Sequence, residues 1–255
     1  MIQMIESTIE HWPSVAAGLR AAGASVRTTD CGHGAAASWG WKRGKRFRAL
    51  TGRDVIVFER GYIGDRFKYT SIALNGLNGH ATFPRVDAID TGRFDAHGGV
   101  LKPWRDDGDY ILITGQVPGD ASLGGRNLTS WYEGVARSAE RRYGKSAYFR
   151  AHPDGRKRFN PRIRHRPLES LADALEGAFM TITFNSNSAL DSVMAGVPCF
   201  AGDSGTMAWP MCGHDVNERV FPARREHCDR IAHLQWSVEE IESGEALRPV
   251  LEMLQ

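Results

Sequence analysis

The chain has 255 residues, 42% of them hydrophobic and 24% charged, with 28 Gly and 11 Pro, a composition that excludes collagen-like, disordered and coiled-coil classes. This length holds one large domain or two small ones, with a sizeable buried core either way. With 32 basic and 30 acidic residues the net charge is +2, so any contact with nucleic acid has to come from a local patch and not from global charge.

Taken in chain order, the elements alternate between helix and strand. Ile5, Ile9, Trp12, Val15, Ala16 and Leu19 give residues 5–22 a roughly helical spacing, and Gly23 stops that helix. Residues 25–29 read as a strand, 43–50 as a basic helix and 54–58 as a buried strand that runs into Glu59-Arg60-Gly61. Residues 75–79 are rich in Gly and Asn, and 84–108 read as loop. The second half alternates more cleanly: strand 110–114, helix 128–143, strand 146–150, helix 168–176, strand 179–184, helix 188–195 and strand 197–201. The tail, 237–254, reads as one or two amphipathic helices with a possible break at Gly244. This pattern predicts an α/β protein of two lobes. The Gly- and Asp-rich stretch 92–109 marks their boundary, giving lobes of about 1–100 and 101–255, the second carrying the C-terminal helices.

No stretch approaches 18 consecutive apolar residues, and the N-terminus lacks the basic and apolar regions of a signal peptide. The cysteines, Cys31, Cys199, Cys212 and Cys228, are sparse. A reduced, cytoplasmic protein without a membrane span is the expectation. Cys212, His214, His227 and Cys228 match no standard zinc spacing, so buried thiols and surface histidines are expected and no metal.

In α/β sheets ligands sit outside the carboxyl ends of the strands. Three such ends carry polar chemistry. Strand 179–184 runs into Asn185, Ser186, Asn187 and Ser188 at the start of a helix, where amides and macrodipole favour an anion such as phosphate; the alternative is an ordinary helix cap. Strand 146–150 delivers Arg150 and His152 to its end, with Pro153 closing it. Arg suits bidentate phosphate contact and His donates a hydrogen bond, although this segment taken alone reads first as a surface loop with a stray His. After strand 110–114 come Gln116, Asp120 and Ser122 in a polar loop that is neither a P-loop nor a dinucleotide fingerprint.

Together these segments resemble the donor half of the capsule-polysaccharide glycosyltransferases. The similarity rests on Gln116 with Asp120-Ala-Ser122, then His152-Pro153, then the Ser/Asn-rich junction with Ala195-Gly196-Val197-Pro198. Within that group they are most similar to the Kdo transferases of capsule synthesis, and they resemble bacterial sialyltransferases more distantly. The likeness covers about residues 110–205; segment 202–210 matches only loosely. It implies a GT-B-like fold, two Rossmann-type lobes with a cleft between them, and a nucleotide-sugar donor. It also implies that His152, Ser186 and Ser188 contact the nucleotide phosphates, and that Gln116, Asp120 and Ser122 line the same cleft.

On that reading the transfer needs no metal, because Asn185–Ser188, His152 and Arg150 stabilise the leaving phosphate. The first lobe faces the acceptor, a glycan or a hydroxylated base in DNA, as in compact phage glycosyltransferases. A base is needed for the acceptor's proton: Glu59 is the first candidate, then Asp120, with Asp65 also available. Structural ion pairs with Arg60 and Arg66 explain Glu59 and Asp65 equally well. The stretch 39–48 mixes Trp39 and Trp41 with cations, and 141–166 holds ten Lys/Arg, Arg156 among them, against the single acid Asp154. These basic stretches keep a nucleic-acid-binding module with a vestigial cleft as the alternative, alongside an epimerase or phosphorylase of the same fold.

Overall fold

The computed structural model describes residues 1–30, 32–154, 157–167 and 169–254. Cys31, Arg156 and the first residue of the helix expected at 168–176 lie outside the described residues. In chain order the elements begin β1 (Ile2–Met4), α1 (Trp12–Ala21), β2 (Val26–Arg27), β3 (Ala35–Trp39), α2 (Trp41–Thr51), β4 (Val55–Arg60), β5 (Thr70–Leu74) and α3 (Gly92–Ala96). There follow β6 (Tyr110–Thr114), α4 (Thr129–Tyr143), β7 (Ala147–Arg150), β8 (Arg164–His165), α5 (Leu171–Glu176), β9 (Ala178–Thr183), α6 (Ser188–Met194) and β10 (Cys199–Ala201). The chain closes with α7 (Arg225–Ala232), β11 (Gln235–Trp236), α8 (Val238–Glu242) and α9 (Arg248–Glu252). It forms two units, Met1–Gly99 with Cys228–Gln255, and Val100–His227. Among the described residues no helix is long and apolar enough to cross a membrane.

The first unit is a sheet in the order β11-β5-β4-β3-β1-β2. Strands β2, β1, β3 and β4 run parallel, and β5 and β11 add antiparallel pairings. Helix α1 begins at Trp12, later than the spacing suggested, with Pro13 in its first turn, where a missing N–H costs nothing. Its Trp12, Val15 and Leu19 pack on Ile56, Phe58 and Ile72 of the sheet.

The tail belongs to this unit, whereas the sequence pattern had placed it in the second lobe. Its apolar side, Ile241, Leu247 and Val250, is buried in the same core as Val15 and Leu19, each such side chain contributing roughly 1.5–3 kcal/mol. Contact is so close that a Cβ on Gly18 would lie 1.8 Å from the Ile241 carbonyl oxygen. Only glycine lets α8 approach α1 in this way.

In the second unit all neighbouring strands are parallel, in the order β10-β9-β6-β7-β8. Its inner strands β6, β7 and β9 carry apolar residues on both faces, as a sheet covered by helices requires, while the edge strand β8 is the exposed pair Arg164-His165. Ile111, Ile113, Phe149, Met180 and Ile182 pack under Tyr132, Ala136 and Ala139 of α4, while Leu112 meets Ala174 and Leu175 of α5 on the other face. The chain moves from β6 outward through β7 to β8, then returns to β9 on the opposite side of β6. The strand order therefore reverses between β6 and β9. This is the topological switch point, and in open α/β sheets ligands bind outside the carboxyl ends of the two strands that flank it.

Candidate functional site

The segments after β6 and β9 meet at the switch point through two amide side chains. Gln116 Nε2 donates to Asn185 Oδ1 at 2.8 Å, and the Asn185 amide N–H donates back to Gln116 Oε1 at 3.1 Å. Both residues are buried. Asn185 Nδ2 also donates to the Ser122 carbonyl and to Asp203 Oδ1, each at 3.0 Å. Gln116 Nε2 reaches Ser122 Oγ at 3.4 Å, and that hydroxyl donates to Asp120 Oδ1 at 2.6 Å. The Ser122 N–H donates to the same carboxylate oxygen at 2.8 Å, closing a short turn. A carboxylate only accepts, so Asp203 and Asp120 at the two ends fix the direction of every donor between them. The Gln116 N–H donates to the Tyr132 hydroxyl at 3.1 Å, and burial pushes the Tyr132 phenol above its ordinary value. Gly115 is required here because a Cβ would lie 2.5 Å from the Phe149 ring.

At the start of α6 the expected arrangement is corrected. The helix has seven residues, and its first amides are already bonded. The Ser188 N–H donates to Ser186 Oγ at 3.2 Å, Ala189 to the Ser186 carbonyl at 3.1 Å and Leu190 to the Asn187 carbonyl at 2.9 Å. Ser188 Oγ shares a 2.8 Å hydrogen bond with Thr114 Oγ1. Those amides are thus not an anion cradle. Instead, of the buried side-chain polar atoms that lack a hydrogen-bond partner among the described residues, two, Thr183 Oγ1 and Asn187 Oδ1, flank Asn185 in the sequence. Buried polar atoms are almost always paired in native folds, so each exception needs an explanation, a bound water, an ion or a ligand being among them.

The end of β7 also departs from expectation. Arg150 is buried, and its Nε and Nη2 donate to the Glu169 carbonyl at 3.2 and 2.7 Å. Burial lowers its pKa. Arg150 is therefore anchored to the Glu169 carbonyl through Nε and Nη2. His152 accepts the Asp154 N–H on Nδ1 at 3.1 Å, so the neutral ring carries its proton on Nε2 and is a donor there. Of the basic run, Arg164 pairs with Glu140 at 2.7 Å and Arg166 with Glu169, while Lys157 and Arg158 are exposed.

In the first unit Glu59 is half-buried at the end of β4, and its Oε1 accepts the Arg60 N–H at 3.3 Å. The Arg60 guanidinium lies 5.4 Å from the Trp39 ring centroid and 4.7 Å from that of Phe67. Asp65 instead closes a turn, accepting the Phe67 N–H at 3.0 Å. On α2, Lys42, Lys45 and Arg46 are exposed, and Arg48 pairs with Asp54 at 2.6 Å. Cys212 and Cys228 are buried thiols. His214 stacks on Trp209 at 3.6 Å, His227 bonds the Met207 carbonyl, and no group of three or more His, Cys, Asp or Glu that could hold a metal forms among the described residues.

Solved structures share this architecture. A KpsC structure of Thermosulfurimonas dismutans, a beta Kdo 2,4 transferase, superposes with a TM-score of 0.64 at 16% identity, covering 100% of this chain and 98% of that one. A second KpsC structure of the same organism, a beta Kdo 2,7 transferase, gives 0.59 at 14% identity over 96% of this chain and 98% of that one. The chain has a two-lobe, Rossmann-like GT-B fold. No protein-family model and no curated protein sequence matches it. At this level of identity the similarity establishes the fold, and the activity has to be argued from the site.

Residues beyond the sequence-derived set complete this site. Asp203 and Thr206 come from the segment after β10; Thr206 Oγ1 donates to the Ser186 carbonyl at 3.1 Å, and the Gly205 N–H donates to Asp203 Oδ1 at 2.9 Å. Their signal was present in the run Gly202-Asp-Ser-Gly-Thr, a turn-rich segment just past a strand end. Tyr132, from the middle of α4, had no such signal because its spacing is that of any core aromatic.

Proposed function

We propose that this chain is a glycosyltransferase whose second unit holds a nucleotide-sugar at the carboxyl edge of its sheet, with no metal taking part. The observation that carries this reading is the pair of buried unpartnered oxygens, Thr183 Oγ1 and Asn187 Oδ1, at the switch point of a Rossmann-like sheet. The GT-B fold shared with structures titled Kdo transferases supports glycosyl transfer as the reaction. In the proposed step the bond between the sugar's anomeric carbon and the phosphate oxygen breaks, and the phosphate leaves with the electron pair. The acceptor hydroxyl forms the new bond and gives its proton to a carboxylate. His152 Nε2–H donates to the leaving phosphate. Asp120 is the base favoured by the geometry, an exposed carboxylate held on this edge by two hydrogen bonds from Ser122. Glu59 is the corresponding carboxylate of the first unit. Gln116 and Asn185 hold the strand ends together, and Ser186 and Ser188 shape the turn beside the donor.

The test is calorimetric titration with CMP, UDP and GDP, beside single- and double-stranded DNA at two salt concentrations. The reading predicts binding of one nucleotide, lost in His152→Ala and Asn187→Leu. Absence of nucleotide binding together with DNA affinity that falls steeply with salt overturns it in favour of a nucleic-acid-binding module.

A further inference from the structure

We infer that Asp203 is a positioning residue for the proposed transfer, setting the place of the Asp120 carboxylate from the far side of the switch point; this rests on the reading above for its catalytic consequence. Asp203 comes from the segment after β10 and Asp120 from the segment after β6, and between them lie only Asn185, Gln116 and Ser122. Both Nδ2 protons of Asn185 are used, one on Asp203 and one on the Ser122 carbonyl, and its Oδ1 is held by Gln116. Each group in the chain therefore has one permitted orientation, and that of Asn185 is set jointly by two acceptor-only partners, the Asp203 carboxylate and the Ser122 carbonyl, and by the Gln116 donor. Remove the Asp203 acceptor and one Nδ2 proton of Asn185 is stranded; its hold on the Ser122 carbonyl then rests on Gln116 alone, which loosens the placement of the turn that carries Asp120. Asp203 Oδ1 also accepts the Gly205 N–H, so its own placement is fixed by its loop.

Asp203 Oδ1 accepts from both Asn185 Nδ2 and the Gly205 N–H, and this makes the inference separable from a simple need for charge or for folding. Asn at this position still offers Oδ1 to both donors. Asp203→Asn is therefore expected to behave like the parent, and Asp203→Ala is not. The first readout is hydrogen exchange of the intact, ligand-free protein, which needs no substrate. Asp203→Ala is expected to speed exchange in 115–124 and 185–188, and Asp203→Asn to leave it unchanged. The second readout is turnover of whichever nucleotide-sugar the protein accepts. Asp203→Ala is expected to lower kcat roughly 10- to 100-fold with little change in donor KM, and Asp203→Asn to restore it. If Asp203→Ala does not fold, Ser122→Ala cuts the same chain at an exposed turn. It should reproduce the kcat loss, while Ser122→Ala with Asp203→Asn should be no worse than Ser122→Ala alone. Loss of activity in Asp203→Asn equal to that in Asp203→Ala, or unchanged exchange at 115–124 in Asp203→Ala and full activity in Ser122→Ala, overturns the positioning role. Exchange that responds as described without turnover of any donor overturns the glycosyltransferase reading and leaves the connectivity standing.

Discussion

Asn185→Asp probes the switch point with a change of one atom type. In the parent, Nδ2 of Asn185 faces two acceptors, the Ser122 carbonyl and Asp203 Oδ1, each at 3.0 Å. An ionised aspartate there puts an oxygen against both. Two carboxylates about 4 Å apart repel by about 4 kcal/mol at an effective dielectric constant near 20, and partial exposure of Asp203 reduces this. Two lost hydrogen bonds add about 1 kcal/mol each, for a deficit of roughly 3–5 kcal/mol at neutral pH. Protonation of the new carboxyl removes the repulsion and restores a donor toward Asp203, so its folded-state pKa is raised above the unfolded value. The sign follows: the variant loses stability as pH rises above the unfolded carboxylate pKa of about 4, and regains it on acidification. Asn185→Ala is the control, with a deficit of roughly 2–4 kcal/mol from the stranded Gln116 amide and lost partners, nearly independent of pH. Urea unfolding followed by tryptophan fluorescence at pH 5 and pH 7.5, each variant compared with the parent at the same pH, measures both. A deficit for Asn185→Asp that is equal at the two pH values refutes the assigned network.

Gly18→Ala drives a methyl group into the Ile241 carbonyl and is expected to cost about 2–4 kcal/mol, seen as a lower unfolding midpoint and faster hydrogen exchange across the tail. Tyr132→Phe strands the buried Gln116 N–H and should cost about 1–3 kcal/mol in the same urea measurement. Burial, reinforced by the Arg93 charge, pushes the His97 pKa down to about 4. The unfolded imidazole titrates near 6.5, so this contribution is complete above that pH. It is lost as pH falls from about 6.5 to about 4, on the order of 3 kcal/mol. A His97→Gln variant whose stability keeps the same slope over that window contradicts the assignment.

Much of the second unit was legible in the sequence because its strands are short apolar runs separated by amphipathic helices, and each strand end carries visible polar residues. The first unit was harder to read. Strand β3 is Ala-Ala-Ala-Ser-Trp, a composition that favours helix, and only its place between β1 and β4 makes it a strand. Strands β2 and β11 have two residues each, too few for periodicity to register. The tail's apolar spacing was visible, but the core receiving it was not, because amphipathicity shows that a face is buried without naming its partner. At the site, residue types and loops were readable while their division of labour was not. Arg150 is chemically suited to phosphate, yet a carbonyl from residue 169 takes its guanidinium. Asn185 and Gln116 read as ligand contacts, and the structure engages both across the switch point.

The central claim, that the carboxyl edge of the second unit holds a nucleotide-sugar for transfer, is tested most directly by a nucleotide-sugar panel read by mass spectrometry. Each donor is incubated with the protein alone, with a glycan acceptor and with DNA carrying hydroxylated bases. The account predicts that one donor is consumed, with a sugar-bearing product and release of the free nucleotide, and that Asn187→Leu and His152→Ala abolish this while remaining folded. A panel in which no donor is bound or consumed, or in which both variants turn over as fast as the parent, contradicts it.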